Sequence, residues 1–188
     1  MSLSMLPEAA ARARACHVAC LFSAEQLAAR VKELATQINA DYADKYPLVV
    51  GVLKGSWVFL ADLTRQLTIP LSCDFVRVSS YGLGTTTSGE PRLLLDVTEP
   101  LAGRHVLVVD DIVDTGISLS WLLAQFRERQ PASLRLCSLL DKPSRRRVPL
   151  QADYLGFEIP DQFVVGYGID YAEQFRELPF LGYVTDQG

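Results

Sequence analysis

Residues 106–119 read Val-Leu-Val-Val-Asp-Asp-Ile-Val-Asp-Thr-Gly-Ile-Ser-Leu. The four apolar residues Val106 to Val109, mostly β-branched, are the pattern of a strand buried on both faces. Asp110 and Asp111 stand where that strand is expected to end. A third carboxylate, Asp114, opens a Thr115-Gly116-Ile117-Ser118 turn, and Leu119 to Arg129 follows as a helix. A turn of this kind directs backbone N–H groups and hydroxyls at one point, and the helix N-terminus adds partial positive charge. It is a phosphate cradle with carboxylates beside it, suited to a metal ion, sugar hydroxyls or proton transfer. Helix capping accounts for one acid but not three. The stretch lacks the Gly-Lys-Ser/Thr ending of a Walker loop and the G-x-G-x-x-G of a dinucleotide fingerprint.

The rest of the chain sets the frame. Its 188 residues suffice for one sizeable core and one domain. The apolar share of 49% is ordinary for a globular protein, and a net charge of −4 disfavours generic nucleic-acid binding. No apolar run approaches the ~20 residues that span a membrane. The N-terminus lacks a secretory pattern, so a cytoplasmic location with reduced thiols is expected. Residues 1–22 are set apart as an N-terminal segment, with residues 1–3 read as an added leader. Cys16, His17 and Cys20 lack the second ligand pair of a structural zinc site. Cys73 and Cys137 read as small buried apolar residues, and His105 as structural.

Ser23-Ala24-Glu25-Gln26 is a capping-box pattern opening a helix to about Ala43, with Leu27, Val31, Leu34 and Ile38 on one face. Leu48 to Leu53 is a buried strand, broken by Lys54-Gly55-Ser56, and Trp57 to Gln66 is a second helix. Strands are expected over Leu71 to Ser79, Arg92 to Val97, Ser133 to Leu140, Ala152 to Phe157, Phe163 to Tyr167 and Leu181 to Val184. A polar, Gly-rich loop covers residues 79–91. Strands alternating with helices indicate an α/β fold with a mostly parallel central sheet flanked by helices. Ligands bind beyond the carboxyl ends of such strands, where Lys54, Asp110, Asp111 and Lys142 all fall. The basic run Arg145-Arg146-Arg147 reads as a solvated face, with a subunit contact as the competing reading.

The opening stretch resembles the 5-phosphoribosyl-1-pyrophosphate (PRPP) motif of the type I phosphoribosyltransferases. Leu53-Lys54-Gly55-Ser56 is similar to the pyrophosphate loop of the hypoxanthine-guanine phosphoribosyltransferases. Residues 79–91 resemble their mobile lid, and Leu140-Asp141-Lys142-Pro143 the segment with their purine-reading lysine. Gly156 to Tyr167, Asp170-Tyr171 and Phe175-Arg176 resemble their C-terminal purine-binding hood, here residues 153–188 of a single domain spanning 23–188.

The resemblance implies an enzyme of purine salvage that moves the phosphoribosyl group of PRPP to a 6-oxopurine, hypoxanthine and/or guanine, releasing pyrophosphate with magnesium as cofactor. Asp110 and Asp111 are then expected on the ribose hydroxyls and magnesium, and Thr115, Gly116, Ile117 and Ser118 on the 5-phosphate. Lys54, Gly55 and Arg176 are expected on pyrophosphate, and Ser80 and Tyr81 in the lid. Asp114 is expected to serve as acid/base group at purine N7. Lys142 would donate to the 6-oxo group, Phe163 would stack on the base, Val164 would read its edge, and Asp170 would serve purine or magnesium. Leu53-Lys54 is implied to be a cis peptide. Relatives are commonly homodimers or homotetramers, and neither nucleic acid nor membrane is an expected partner. Two rivals stand beside this reading: a PRPP-sensing regulator on the same fold, and an enzyme acting on adenine, orotate or uracil.

Overall fold

Ser23 starts the first helix as its spacing predicts. Its hydroxyl accepts from the Gln26 N–H while the Gln26 side chain accepts from the Ser23 N–H, and α1 (Ala24–Asp41) follows. A computed structural model describes residues 17–79 and 91–185. Within them β2 (Leu48–Val52), α2 (Trp57–Gln66), β3 (Ser72–Val78), β4 (Leu93–Leu95), β5 (His105–Val113), α3 (Ile117–Glu128), β6 (Ser133–Asp141) and β7 (Tyr154–Glu158) succeed one another. The central sheet runs β4-β3-β2-β5-β6-β7, parallel except for the edge strand β4. A second, antiparallel sheet joins β1 (Val18–Phe22), β9 (Leu181–Val184) and β8 (Val164–Val165) in the order β1-β9-β8.

The unbroken apolar runs of the central strands are explained by cover on both faces. Val49, Leu107, Val109, Cys137 and Leu139 meet Leu27, Val31, Leu34 and Ile38 of α1 and Phe59, Leu60 and Leu63 of α2. Their alternate neighbours Leu48, Val50, Val106, Val108 and Leu136 meet Leu119, Leu122, Leu123 and Phe126 of α3. α3 is thereby clamped to the sheet, which fixes where its N-terminus points.

Four departures from the sequence reading bear on the site. β5 does not stop at Asp110: it continues to Val113, still paired with β6 through Val113↔Asp141. Its pairing with β2 does end at Gly51↔Val109, so both aspartates lie inside a strand but past the last rung of one neighbour. α3 begins at Ile117, because Gly116 takes the N-cap position with φ +79°. Val18 to Phe22, set apart with the N-terminal segment, forms β1 and pairs with the last strand of the hood. Cys73 lies in β3 as expected but is exposed rather than buried. Cys137 is buried.

Phe126, fully buried in the cluster under α3, carries much of the helix's anchorage. Phe126→Ala is expected to cost about 3–5 kcal/mol of unfolding free energy, read by urea denaturation; a loss near zero would show that α3 is held some other way.

Candidate active site

The step in the sheet generates the site. Beyond Val109 the β2 side of β5 is open, and the loop after β2 fills part of the gap. Leu53–Lys54 is a cis peptide, as the family resemblance implies. At Gly55 a Cβ would overlap the Asp111 carboxylate, so only glycine lets this loop pass the strand. Asp110 lies on the other face and is 8% exposed. Burial, followed by the negative charge of Asp111, raises the Asp110 carboxyl well above the usual carboxylate range. Burial also raises Asp111, opposed by a hydrogen bond with Asp110 and by the charge of Arg176.

The phosphate turn follows directly. Asp110, Asp114, Thr115, Gly116, Ile117, Ser118, Leu119 and Arg147 line a cleft of about 410 Å³ with Ile112 and Val113. No side chain caps α3 in the Ser/Asp manner; Thr115 Oγ1 accepts from Ile117 N–H at a long 3.4 Å. The first-turn N–H groups therefore remain for an anion.

At the base end, Lys142 is 6% exposed. Burial lowers its pKa, while the charges of Asp114 and Asp161 act in the opposite sense. Its ammonium makes no hydrogen bond or ion pair to the described residues, so its donors remain for a partner from outside them. Phe163 immediately precedes β8. It is 44% exposed, which removes the core reading, and it meets Tyr171 edge-on with ring centroids 5.2 Å apart. Val164 is buried in β8.

Lys54 and Arg176 converge through a residue that sequence reasoning missed. Both Glu173 carboxylate oxygens lie 3.0 Å from Lys54 Nζ, and one lies 3.3 Å from Arg176 Nη2. Arg176 also donates to Gly168 O at 2.8 Å and pairs with Asp170 at 2.7 Å, while its buried Nε has no hydrogen-bond partner among the described residues. The two cations thus already share one anionic group. Asp170 accepts from Glu173 N–H with its other oxygen. Among the described residues no three His, Cys, Asp or Glu side chains gather as a metal cage, so Asp110, Asp111 and Asp170 do not form one. A buried carboxylate pair does fit a cation that arrives with substrate phosphates and keeps several waters, the usual manner for magnesium.

The arginine run is solvated at Arg145 and Arg147, as expected, but it is also tied to the site. Arg145 Nε lies 3.0 Å from Asp114 Oδ1, an ion pair without hydrogen-bond alignment. Arg145 also pairs with Asp161 at 3.3 Å. Arg146 donates to Asp114 O at 2.8 Å and pairs with Asp141. Only the placement of the run three residues after Lys142 hinted at this. Ser80 and Tyr81, expected in the lid, lie outside the described residues. The base of that loop is described: Ser79 N–H donates to Arg92 O at 2.9 Å.

The model of the phosphoribosyl transferase domain matches residues 17–172. The chain belongs to the phosphoribosyltransferase family. It is 46% identical over 162 residues to the hypoxanthine-guanine phosphoribosyltransferase of Bacillus subtilis, covering 86% of this chain and 90% of that one. It is 47% identical over 172 residues to the hypoxanthine phosphoribosyltransferase of Haemophilus influenzae, covering 90% and 96%. A crystal structure of a Bacillus anthracis hypoxanthine-guanine phosphoribosyltransferase superposes with a TM-score of 0.84 at 45% identity, covering 90% of this chain and 99% of that one.

The buried acid pair is a stability liability. A carboxyl whose pKa is raised on folding destabilises the native state once the pH exceeds its unfolded value, and more so up to its folded value. Asp110→Asn is therefore expected to raise the Tm of the ligand-free protein at pH 7.5, with the gain shrinking toward pH 4. An unchanged Tm across this range would show that Asp110 is not ionised against its surroundings.

Proposed function

We propose that the chain carries out the reaction its relatives are named for, with the residues above in the following roles. It is an enzyme of purine salvage: it transfers the 5-phosphoribosyl group of PRPP to hypoxanthine and/or guanine and releases pyrophosphate. The observation that carries this reading is the neighbourhood of Asp114. It links the phosphate turn to the purine end, close enough for its charge to support the buried Lys142 ammonium.

The reaction needs charge managed at three places. The 5-phosphate is held by N–H groups of residues 115–118 and the hydroxyls of Thr115 and Ser118. Asp110 and Asp111 accept from the ribose hydroxyls, which anchors the sugar while its anomeric carbon gains positive character. Lys54 and Arg176 take the departing pyrophosphate, and the Glu173 carboxylate that joins them must move aside as it binds. Magnesium, when bound through Asp110, Asp111 or Asp170 and the substrate oxygens, would offset further pyrophosphate charge.

At the base, Lys142 donates to the 6-oxo oxygen. Adenine presents an amino donor there, leaving a buried cation unmatched, and such mismatches discriminate strongly. Phe163 stacks on the ring and backbone groups of Val164 meet its edge. The Asp114 carboxylate, whose Oδ1 has no hydrogen-bond partner among the described residues and is paired only with Arg145 there, can take the proton at purine N7 as the glycosidic bond forms.

A homo-oligomer, dimer or tetramer, is the expected assembly in the cytoplasm. In support, Phe75, Leu94 and Leu95 on the β3–β4 edge are exposed. No described helix is long and apolar enough to cross a membrane.

The reading is tested by pyrophosphate release from PRPP and magnesium with hypoxanthine, guanine, xanthine, adenine or no base. Release with a 6-oxopurine but not adenine is expected. PRPP binding without release for any base would favour a PRPP-sensing regulator. In the same assay Asp114→Asn is expected to lower kcat about a hundred- to ten-thousandfold, the usual share of acid/base catalysis, with PRPP binding largely kept. Lys142→Ala is expected to narrow the gap between hypoxanthine and adenine; an unchanged gap would place the selector elsewhere.

A further inference from the structure

The three consecutive arginines divide into two that are occupied and one that is not. Arg145 is paired with Asp114 and Asp161, and Arg146 with Asp141 and the Asp114 carbonyl. Arg147 is exposed, lines the phosphate cleft, and its guanidinium meets no acceptor among the described residues. We infer that Arg147 is a ligand of the 5-phosphate, supplying an uncommitted positive charge beside a turn whose other guanidinium, that of Arg146, is already held by Asp141 and the Asp114 carbonyl. This rests on the reading of the cleft as the site of a phosphoribosyl group.

The chemistry of the cleft calls for such a group. The described residues that line it include two carboxylates, Asp110 and Asp114, and among them Arg147 is the one cation. A phosphate dianion entering there gains from the α3 N-terminus, equivalent to roughly half a unit charge, but is opposed by the nearby Asp114 carboxylate. One guanidinium, always charged and able to donate two parallel hydrogen bonds, corrects that balance.

The geometry holds Arg147 in reach. Its backbone N–H donates to Thr115 O at 3.0 Å, which ties its Cα to the turn that would receive the phosphate. On either side of it the loop packs on Gly116. A Cβ on that glycine would come within 3.1 Å of Val148 Cγ2 and 3.3 Å of Arg146 Cδ, and its φ is +79°. The loop after β6 is thus seated on the phosphate turn by backbone and side-chain contacts that do not use the Arg147 guanidinium.

Removing that guanidinium should therefore alter ligand binding without altering the fold. In Arg147→Gln, KM for PRPP is expected to rise about five- to thirtyfold, the span of one partly exposed charge-assisted hydrogen bond, with kcat within about twofold. Arg147→Lys should recover part of the loss. Calorimetric affinity for ribose 5-phosphate should fall by a similar factor. Affinity for inorganic pyrophosphate and Tm should not change, which a general loosening of the loop would not reproduce. Wild-type turnover with an unchanged KM in Arg147→Gln would overturn the inference alone. Wild-type protein that neither binds ribose 5-phosphate nor turns over PRPP would overturn the underlying reading of the cleft as well.

Discussion

β5 runs past β2, and the site exists because of that step. While β2 lies alongside, each residue of β5 faces helices on both sides of the sheet and must be apolar, as Val106 to Val109 are. Where β2 ends, the strand keeps its hydrogen bonds to β6 but loses cover on one edge. Polar side chains can then appear on a backbone that stays rigid. Asp110 and Asp111 are held by a paired strand rather than a loop, which limits how far their carboxylates can shift. The Gly55 loop can close over Asp111 only because it has no side chain there. Moving the end of β2 by one residue would turn one aspartate into a core position.

Holding two carboxylates this way is unfavourable without ligand, and the ligand-free molecule shows how the imbalance is managed. Asp110 and Asp111 share their site at the expense of ionisation, both raised by burial. Elsewhere the charges proposed for substrate are met by protein: Glu173 joins Lys54 and Arg176, and Arg145 lies against Asp114. These pairs are largely exposed, with Glu173 at 65%, so each is worth little by itself and can open at low cost. Buried pairs in their place would hold the site shut. The weak pairs keep these charges partnered yet, under the roles proposed above, free to exchange one another for a substrate's groups.

Much of this was legible in the residues. The strand–acid–acid–turn–helix order of 106–119 and the glycine beside Lys54 have few other physical uses, and the Ser23 capping box formed as written. Three features were not legible. The end of β5 was misjudged because two acids normally mark a strand's exit, whereas here only one neighbour ends. β1 was missed because Val18 to Phe22 is a short stretch whose partner, β9, lies at the other end of the chain. Glu173 gave no signal, since its meeting with Lys54 depends on a tight hood turn in which Ala172, Glu173 and Phe175 all have positive φ.

The arginine run shows why local reading fails even where local sequence is informative. Alternation and composition describe three adjacent charges in a loop as one solvated patch. In the fold the chain leaves β6 through Lys142, makes a short 3₁₀ turn over Pro143–Arg145, and crosses the mouth of the cleft toward β7. Successive side chains on such a path face different neighbours. Lys142 is buried within the influence of Asp114 and Asp161, Arg145 reaches Asp114, and Arg147 arrives at the turn that holds Thr115. One loop therefore links the end of β6 to the turn before α3. Its backbone bond from Arg147 to Thr115 and the contact of Arg146 and Val148 with Gly116 keep those three charges in fixed register. A loop that held only the base would leave the phosphate end to the weak dipole of α3. Under the roles proposed above, this seating would couple the two ends: a sugar phosphate bound at the turn would fix the loop from which Lys142 and Arg145 extend.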